Sequence, residues 1–229
     1  MCGIVGAVNC KPEIVGALPV MLIANMDRGG KDGIGVWTPE HGLKKGLNVN
    51  PFAEIWDRRK DRHFLIHLRL ATSGQIDAEH CHPFTEGDTV FCHNGHIFNY
   101  EQFGAKMDSL AGLAIVQRKG LQGIEDLLGS YVFTWFNLRE RVFNVIVHRG
   151  ELEIGWLGNT LFFASQRLTR IIPGSKPVAE NVWLRFSLRH PRQYSMKKLD
   201  KLVQKTRLFW DDDYINWSER RKAYLVYGD

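Results

Sequence analysis

At 229 residues, with 44% hydrophobic and 24% charged content, the chain can bury a substantial core. It reads most economically as one domain with a short tail, which excludes a largely disordered protein. The net charge of +5 is mild, and no helix-turn-helix, zinc-finger or RNP pattern accompanies the late basic residues, among them Arg189, Lys197 and Lys201, so a solvated face is favoured over a nucleic-acid surface.

No stretch approaches the roughly 18 to 20 apolar residues that cross a bilayer. The N-terminus lacks a charged region followed by an apolar run, and Cys2, Cys10, Cys81 and Cys92 show no disulfide-framework spacing. These features lead to the expectation of a soluble, cytoplasmic protein, with surface association left open.

In chain order, Gly3 to Val8 reads as a short buried strand, and Glu13 to Met26 as a helix with Pro12 suited to its first turn and Pro19 a candidate kink. Gly29 to Gly35 is a glycine-rich loop that lacks a Gly-Lys-Ser/Thr end and the dinucleotide spacing, so a tight turn is favoured over a phosphate cradle. His63 to Leu70 and Thr89 to His93 are strong strand candidates. Asn99 to Lys106, Leu110 to Lys119 and Gly123 to Leu128 look helical. Ser130 to Phe136, Arg141 to Val147, Glu151 to Leu157, Thr160 to Ala164 and Val182 to Ser187 then follow at meander spacing. Strand runs around a helical middle indicate α+β. A globular unit over 1–190 and a charged, aromatic tail over 191–229 are expected.

The chain opens Met1-Cys2-Gly3-Ile4-Val5-Gly6. Removal of Met1, which a small second residue favours, would put a thiol and an α-amine on Cys2. An α-amine titrates at roughly 7.7 to 8.0, so it can accept the thiol's proton and make a histidine base unnecessary. On its own, Cys2 is better read as the small apolar start of a strand.

Three further segments change that balance: His67-Leu-Arg69-Leu-Ala-Thr72-Ser-Gly74, then His82-Pro83, then His93-Asn94-Gly95 with Asn99-Tyr100 beyond. With the Cys2 start, they resemble in order the glutaminase domain of class II glutamine amidotransferases, which are N-terminal-nucleophile hydrolases. The resemblance extends over roughly residues 2 to 165. It implies a four-layer αββα sandwich and hydrolysis of L-glutamine to glutamate and ammonia through a Cys2 thioester, with no metal and no organic cofactor.

The residues meet the demands of that chemistry. Asn94 has an amide donor and Gly95 an unhindered N–H, suited to a developing oxyanion at the end of the Thr89 to His93 strand; Asn-Gly alone also suits a hairpin turn. For the amino-acid head of glutamine, Arg69 offers a bidentate fork and Thr72 a hydroxyl and an N–H to the carboxylate. Asp108 matches an aspartate placed for the ammonium and also suits a helix N-terminus. Arg28, in Arg28-Gly-Gly-Lys-Asp32, matches an Arg-Gly-x-Asp loop with one extra residue; aligned without a gap, the loop places Gly29 where the arginine belongs. Further departures are Leu70 where an aromatic is usual, Ser73 for histidine, and Leu110 for glutamate.

The His80-Cys81-His82 and Cys92-His93 cluster fits no zinc spacing, and strand alternation would send Cys92 and His93 to opposite faces. A stand-alone glutaminase that hands ammonia to a separate acceptor protein is expected, with homo-oligomerisation left open. Two alternatives stand: an N-terminal-nucleophile amidase for another amide, and a degenerate module that senses glutamine or binds a partner.

Overall fold

The computed structural model describes residues 2–47, 61–71, 76–118 and 120–202. In chain order its strands are β1 (Gly3–Val8), β2 (Gly33–Thr38), β3 (Gly42–Gly46), β4 (Phe64–Arg69), β5 (Phe84–Glu86), β6 (Thr89–Ile97), β7 (Gly129–Asn137) and β8 (Val142–His148), followed by β9 (Glu153–Leu157), β10 (Thr160–Ala164), β11 (Lys176–Pro177), β12 (Val182–Ser187) and β13 (Tyr194–Lys198). The α-helices are α1 (Ala17–Asn25), α2 (Asp108–Arg118) and α3 (Gly120–Glu125).

Two antiparallel sheets result, ordered β11-β9-β10-β1-β4-β2-β3 and β13-β12-β8-β7-β6-β5. Because side chains alternate along a strand, Ile4 and Val8 of β1 face the second sheet while Val5 and Ala7 face outward. The first pair joins Leu65, Val90, Cys92, Val132, Val145 and Phe163 in the core between the sheets. The second pair joins Ile34, Phe64, Ile66 and Leu68 beneath Leu18, Met21 and Leu22 of α1. On the far side, Leu113 and Ile115 of α2 and Ile124 of α3 cover Phe91, Tyr131 and Phe133 of the second sheet. Three apolar seams therefore separate four layers, and the architecture is the expected αββα sandwich. Each large apolar side chain withdrawn into a seam contributes about 1.5 to 3 kcal/mol.

Several boundaries differ from the sequence expectation for identifiable reasons. Helix α1 begins at Ala17, four residues late, so Pro19 falls in the first turn, where its missing N–H costs nothing. Strand β6 continues to Ile97, which puts Asn94 and Gly95 inside a ladder with Val132 and Tyr131 and not in a hairpin turn. Asn99 to Lys106 shortens to a 3₁₀ turn over Tyr100–Phe103. β13 pairs with β12, and Leu199 and Leu202 are fully buried, so the packed body runs past residue 190. Among the described residues no helix is long and apolar enough to cross a membrane.

Candidate active site

The alternation that builds the central seam also assembles the site. Cys2 shares the parity of Ile4, Ser165 that of Phe163, His67 and Arg69 that of Leu65, and Asn94 that of Cys92, so all five side chains are directed between the sheets. Register completes the convergence: Ile4 lies opposite His67, and Val5 opposite Ala164.

Cys2 is half-buried at the head of β1. Its Sγ accepts from Leu70 N at 3.4 Å and lies 3.4 Å from Leu70 O, to which the thiol can donate. Burial pushes the Cys2 pKa up, opposed by the Leu70 hydrogen bond and the charges of Arg69 and Arg28. A standing thiolate is thereby disfavoured, and a proton acceptor in immediate reach would be needed for attack.

The Cys2 carbonyl is held from two sides. Arg28 Nε donates to it at 3.0 Å and Asn94 Nδ2 donates at 3.0 Å. The Arg28 side chain is only 9% exposed and also pairs with Glu151 Oε2 at 2.8 Å. In the loop that follows, Gly30 has φ +96°, a conformation glycine adopts without strain. Arg69 O then accepts from Gly30 N at 2.8 Å, while Asp32 Oδ2 accepts from Ala71 N at 2.7 Å. Both Arg28 and Asp32 therefore reach the segment around Cys2 and Leu70.

Asn94 is the hub. Beyond the Cys2 carbonyl, its Nδ2 donates to Ser165 Oγ at 3.1 Å, and its Oδ1 lies 3.0 Å from His67 Nε2. Since the Cys2 carbonyl can only accept, the amide's orientation is fixed and Nε2 carries the imidazole proton. His67 is fully buried, and that burial pulls its pKa to about 3 despite hydrogen bonds to Asn94 and the His93 backbone. Its ring packs on His82 at 4.3 Å. Ser165 Oγ also accepts from Ile4 N at 2.9 Å, and Ser165 N donates to Ile4 O at 2.9 Å, which ties β1 to the end of β10.

Gly95 follows with φ +122°, and a Cβ there would meet Ser130 O at 2.0 Å. Arg69 is buried at the end of β4, where its guanidinium also lowers the Cys81 thiol's pKa against the rise due to burial. Asp108 sits at the start of α2: its Oδ1 accepts from Ser109 N at 2.7 Å and its Oδ2 from Ile97 N at 3.4 Å, two residues beyond Gly95. Ser109 Oγ in turn reaches His93 Nδ1 at 3.0 Å. Thr72 lies outside the described residues. Cys92 and His93 do face opposite sides of β6, and no group of three or more His, Cys, Asp or Glu is placed to hold a metal ion among the described residues.

Thus Arg28 and Asn94 each bond the Cys2 carbonyl, Arg69 acts on the thiol through charge, and Asp108 is tied to the strand that carries Asn94 and Gly95. Reasoning from sequence assigned no role to Ser165, His67 or Asp32. Strand parity was the available signal for Ser165, but it could not be used before the pairing of β1 with β10 was known.

In three dimensions the chain is similar to the glutamine phosphoribosylpyrophosphate amidotransferase of B. subtilis, with a TM-score of 0.66 and 19% identity over 86% of this chain and 49% of that one. An enzyme described as the allosteric regulatory enzyme of purine biosynthesis gives 0.69, also at 19% identity, over 86% of this chain and 49% of its own. The fold is that of the class II glutamine amidotransferases. The chain spans about half the length of these two amidotransferases. A glutamine aminotransferase class-II domain protein of Silicibacter pomeroyi shares the fold at a TM-score of 0.55 and 12% identity, over 86% of this chain and 97% of that one. No family model and no curated protein matches the sequence.

Proposed function

We propose that the protein is a glutaminase that hydrolyses L-glutamine to glutamate and ammonia, with Cys2 as nucleophile. The observation that carries this reading is the position of Cys2 at the head of an inner strand, with the Asn94 side-chain donor 3.0 Å from its carbonyl. With Met1 removed, the Cys2 α-amine takes the thiol proton as Sγ attacks the amide carbon; a tetrahedral oxyanion forms, and the same proton leaves with ammonia. Water then resolves the γ-glutamyl thioester through a second oxyanion. Gly95 N and Asn94 Nδ2 stabilise both oxyanions, Asn94 by exchanging one of its two protein acceptors, the Cys2 carbonyl or Ser165 Oγ, for the substrate oxygen.

Arg69 and Thr72 hold the substrate carboxylate, Asp108 the ammonium, and Arg28 fixes the nucleophile's backbone through the Cys2 carbonyl. The ammonia passes to a separate acceptor protein in the cytoplasm.

The test is covalent labelling. An electrophilic glutamine analogue should add one equivalent at Cys2 of the Met1-processed protein, read by peptide mass, with excess L-glutamine protecting and L-asparagine not. Labelling spread over Cys10, Cys81 and Cys92, or unaffected by glutamine, would defeat the assignment.

A further inference from the structure

We propose that Asp32 is a positioning residue for the nucleophile: its carboxylate and the loop that bears it clamp the two peptide units flanking Leu70 from behind, so that both present a polar group to the Cys2 sulfur. The proposal rests on the glutaminase reading for its effect on turnover, while its geometric content stands separately.

The peptide bond itself orders these contacts. A peptide unit is planar and trans, so fixing its C=O on one side of the chain turns its N–H to the other, and the reverse. In the unit between Arg69 and Leu70 the oxygen is the end held by the loop: Arg69 O accepts from Gly30 N at 2.8 Å and from Asp32 N at 3.3 Å. The opposite end, Leu70 N, donates to Cys2 Sγ at 3.4 Å. In the unit between Leu70 and Ala71 the nitrogen is the end held, donating to Asp32 Oδ2 at 2.7 Å. Its opposite end, Leu70 O, lies 3.4 Å from Sγ. Three bonds from Gly30 and Asp32 thus decide which way two peptides face, and what they face is the thiol.

Asp32 supplies the part of this clamp that the sheet does not. The register of β2 with β4 ends at Gly33 opposite Arg69, so Ala71 N lies past the last ladder pair and the carboxylate takes the place of a strand partner. A carboxylate only accepts, and its charge strengthens the bond. A flip of the Leu70–Ala71 peptide would turn Leu70 O against it and is opposed by repulsion between the oxygens. The outcome is an acceptor and a donor fixed beside Sγ. Leu70 O can receive the S–H of the resting thiol, and Leu70 N–H bonds the sulfur as it becomes negative, the contact that lowers the thiol's pKa against burial.

The test pairs Asp32→Ala, which deletes the acceptor, with Asp32→Asn, whose Oδ1 can accept from Ala71 N without the charge. A misplacement of about 1 Å in an active site can cost about 100-fold, so in Asp32→Ala we expect kcat to fall about 10- to 100-fold. Alkylation of Cys2 by iodoacetamide at neutral pH, read by peptide mass, should slow about three- to tenfold as the sulfur loses its fixed donor. Asp32→Asn should recover most of both. Wild-type kcat or alkylation in Asp32→Ala, faster alkylation, or an Asp32→Asn as impaired as Asp32→Ala would overturn the proposal. A second measurement depends neither on turnover nor on either variant folding: NMR of the ¹³C,¹⁵N-labelled wild-type protein should show a coupling through the hydrogen bond between Ala71 N and Asp32 Cγ. Its absence, with the corresponding couplings of the β1–β4 ladder seen in the same spectrum, would overturn it. If wild type releases no glutamate at all, the glutaminase reading fails, and alkylation and the coupling decide whether Asp32 sets the thiol's surroundings.

Discussion

Asn94 Nδ2 lies 3.0 Å from the main-chain oxygen of Cys2, across the seam between the two sheets. This one contact joins the strand carrying the nucleophile to the strand carrying the proposed oxyanion donors, and it places the donor beside the reacting centre before any substrate is present. Asn94→Ala should therefore lower kcat for glutamine hydrolysis about 100- to 1,000-fold. Labelling of Cys2 by iodoacetamide should proceed at near wild-type rate, since the thiol's own contacts are with Leu70.

Ser165 Oγ accepts from both Ile4 N and Asn94 Nδ2. Ser165→Ala leaves two buried donors short of a partner, and each such loss costs about 1 to 3 kcal/mol. Urea denaturation should show destabilisation in that range or above, a large fraction of the stability of an ordinary domain.

Two of the partners of Arg28 carry unequal weight. Glu151 is 72% exposed, so solvent screens the ion pair and Glu151→Gln should change stability by less than about 1 kcal/mol. The Arg28 bond to the Cys2 carbonyl is sheltered, and Arg28→Met should cost about 1.5 to 3 kcal/mol, the worth of a hydrogen bond to a charged group. Thermal or chemical denaturation of the pair of variants separates the two contacts.

Gly95 combines φ +122° with a Ser130 carbonyl only 2.0 Å from where a Cβ would stand. That obstacle is backbone within a ladder, so it cannot swing aside. Gly95→Ala should cost more than about 3 kcal/mol or prevent folding, as read by circular dichroism and urea titration.

His67, His82 and His93 are buried and His63 is half-buried; desolvation lowers the pKa values of His63, His67 and His93 to about 4, about 3 and about 4 and holds His82 well below its ordinary value. Each is neutral when folded and takes up a proton near pH 6.5 when unfolded. Their stabilising contribution is thus complete above pH 6.5 and is lost as the pH falls through the range from 6.5 toward 4. Each unmatched proton steepens the loss by about 1.4 kcal/mol per pH unit. Urea midpoints measured from pH 7.5 to 4.5 should fall on acidification, and replacing His63 with Phe should flatten that slope. A flat profile would contradict the buried, neutral assignment.

Much of this was legible in the chain. Continuous, largely apolar runs at Gly3–Val8, Phe64–Arg69 and Thr160–Ala164 marked the inner strands closely, because both faces of that sheet are buried. β3 and β13 escaped notice because they are edge strands: Gly-Leu-Lys-Lys-Gly and Tyr-Ser-Met-Lys-Lys carry the lysines and exposure that keep edges from pairing with other chains. At the site, Cys2, Asn94 and Arg28 could be picked out by chemical type. Ser165 and His67 could not, since their roles depend on which strands become neighbours.

The central claim is that Cys2 cleaves the side-chain amide of glutamine. The most direct measurement is glutamate release by the purified, Met1-processed protein, compared with Cys2→Ala and Cys2→Ser under the same conditions. The account predicts release by wild type, abolished in Cys2→Ala and reduced to a trace in Cys2→Ser. Undiminished release from Cys2→Ala, with contaminating glutaminase excluded, would contradict it.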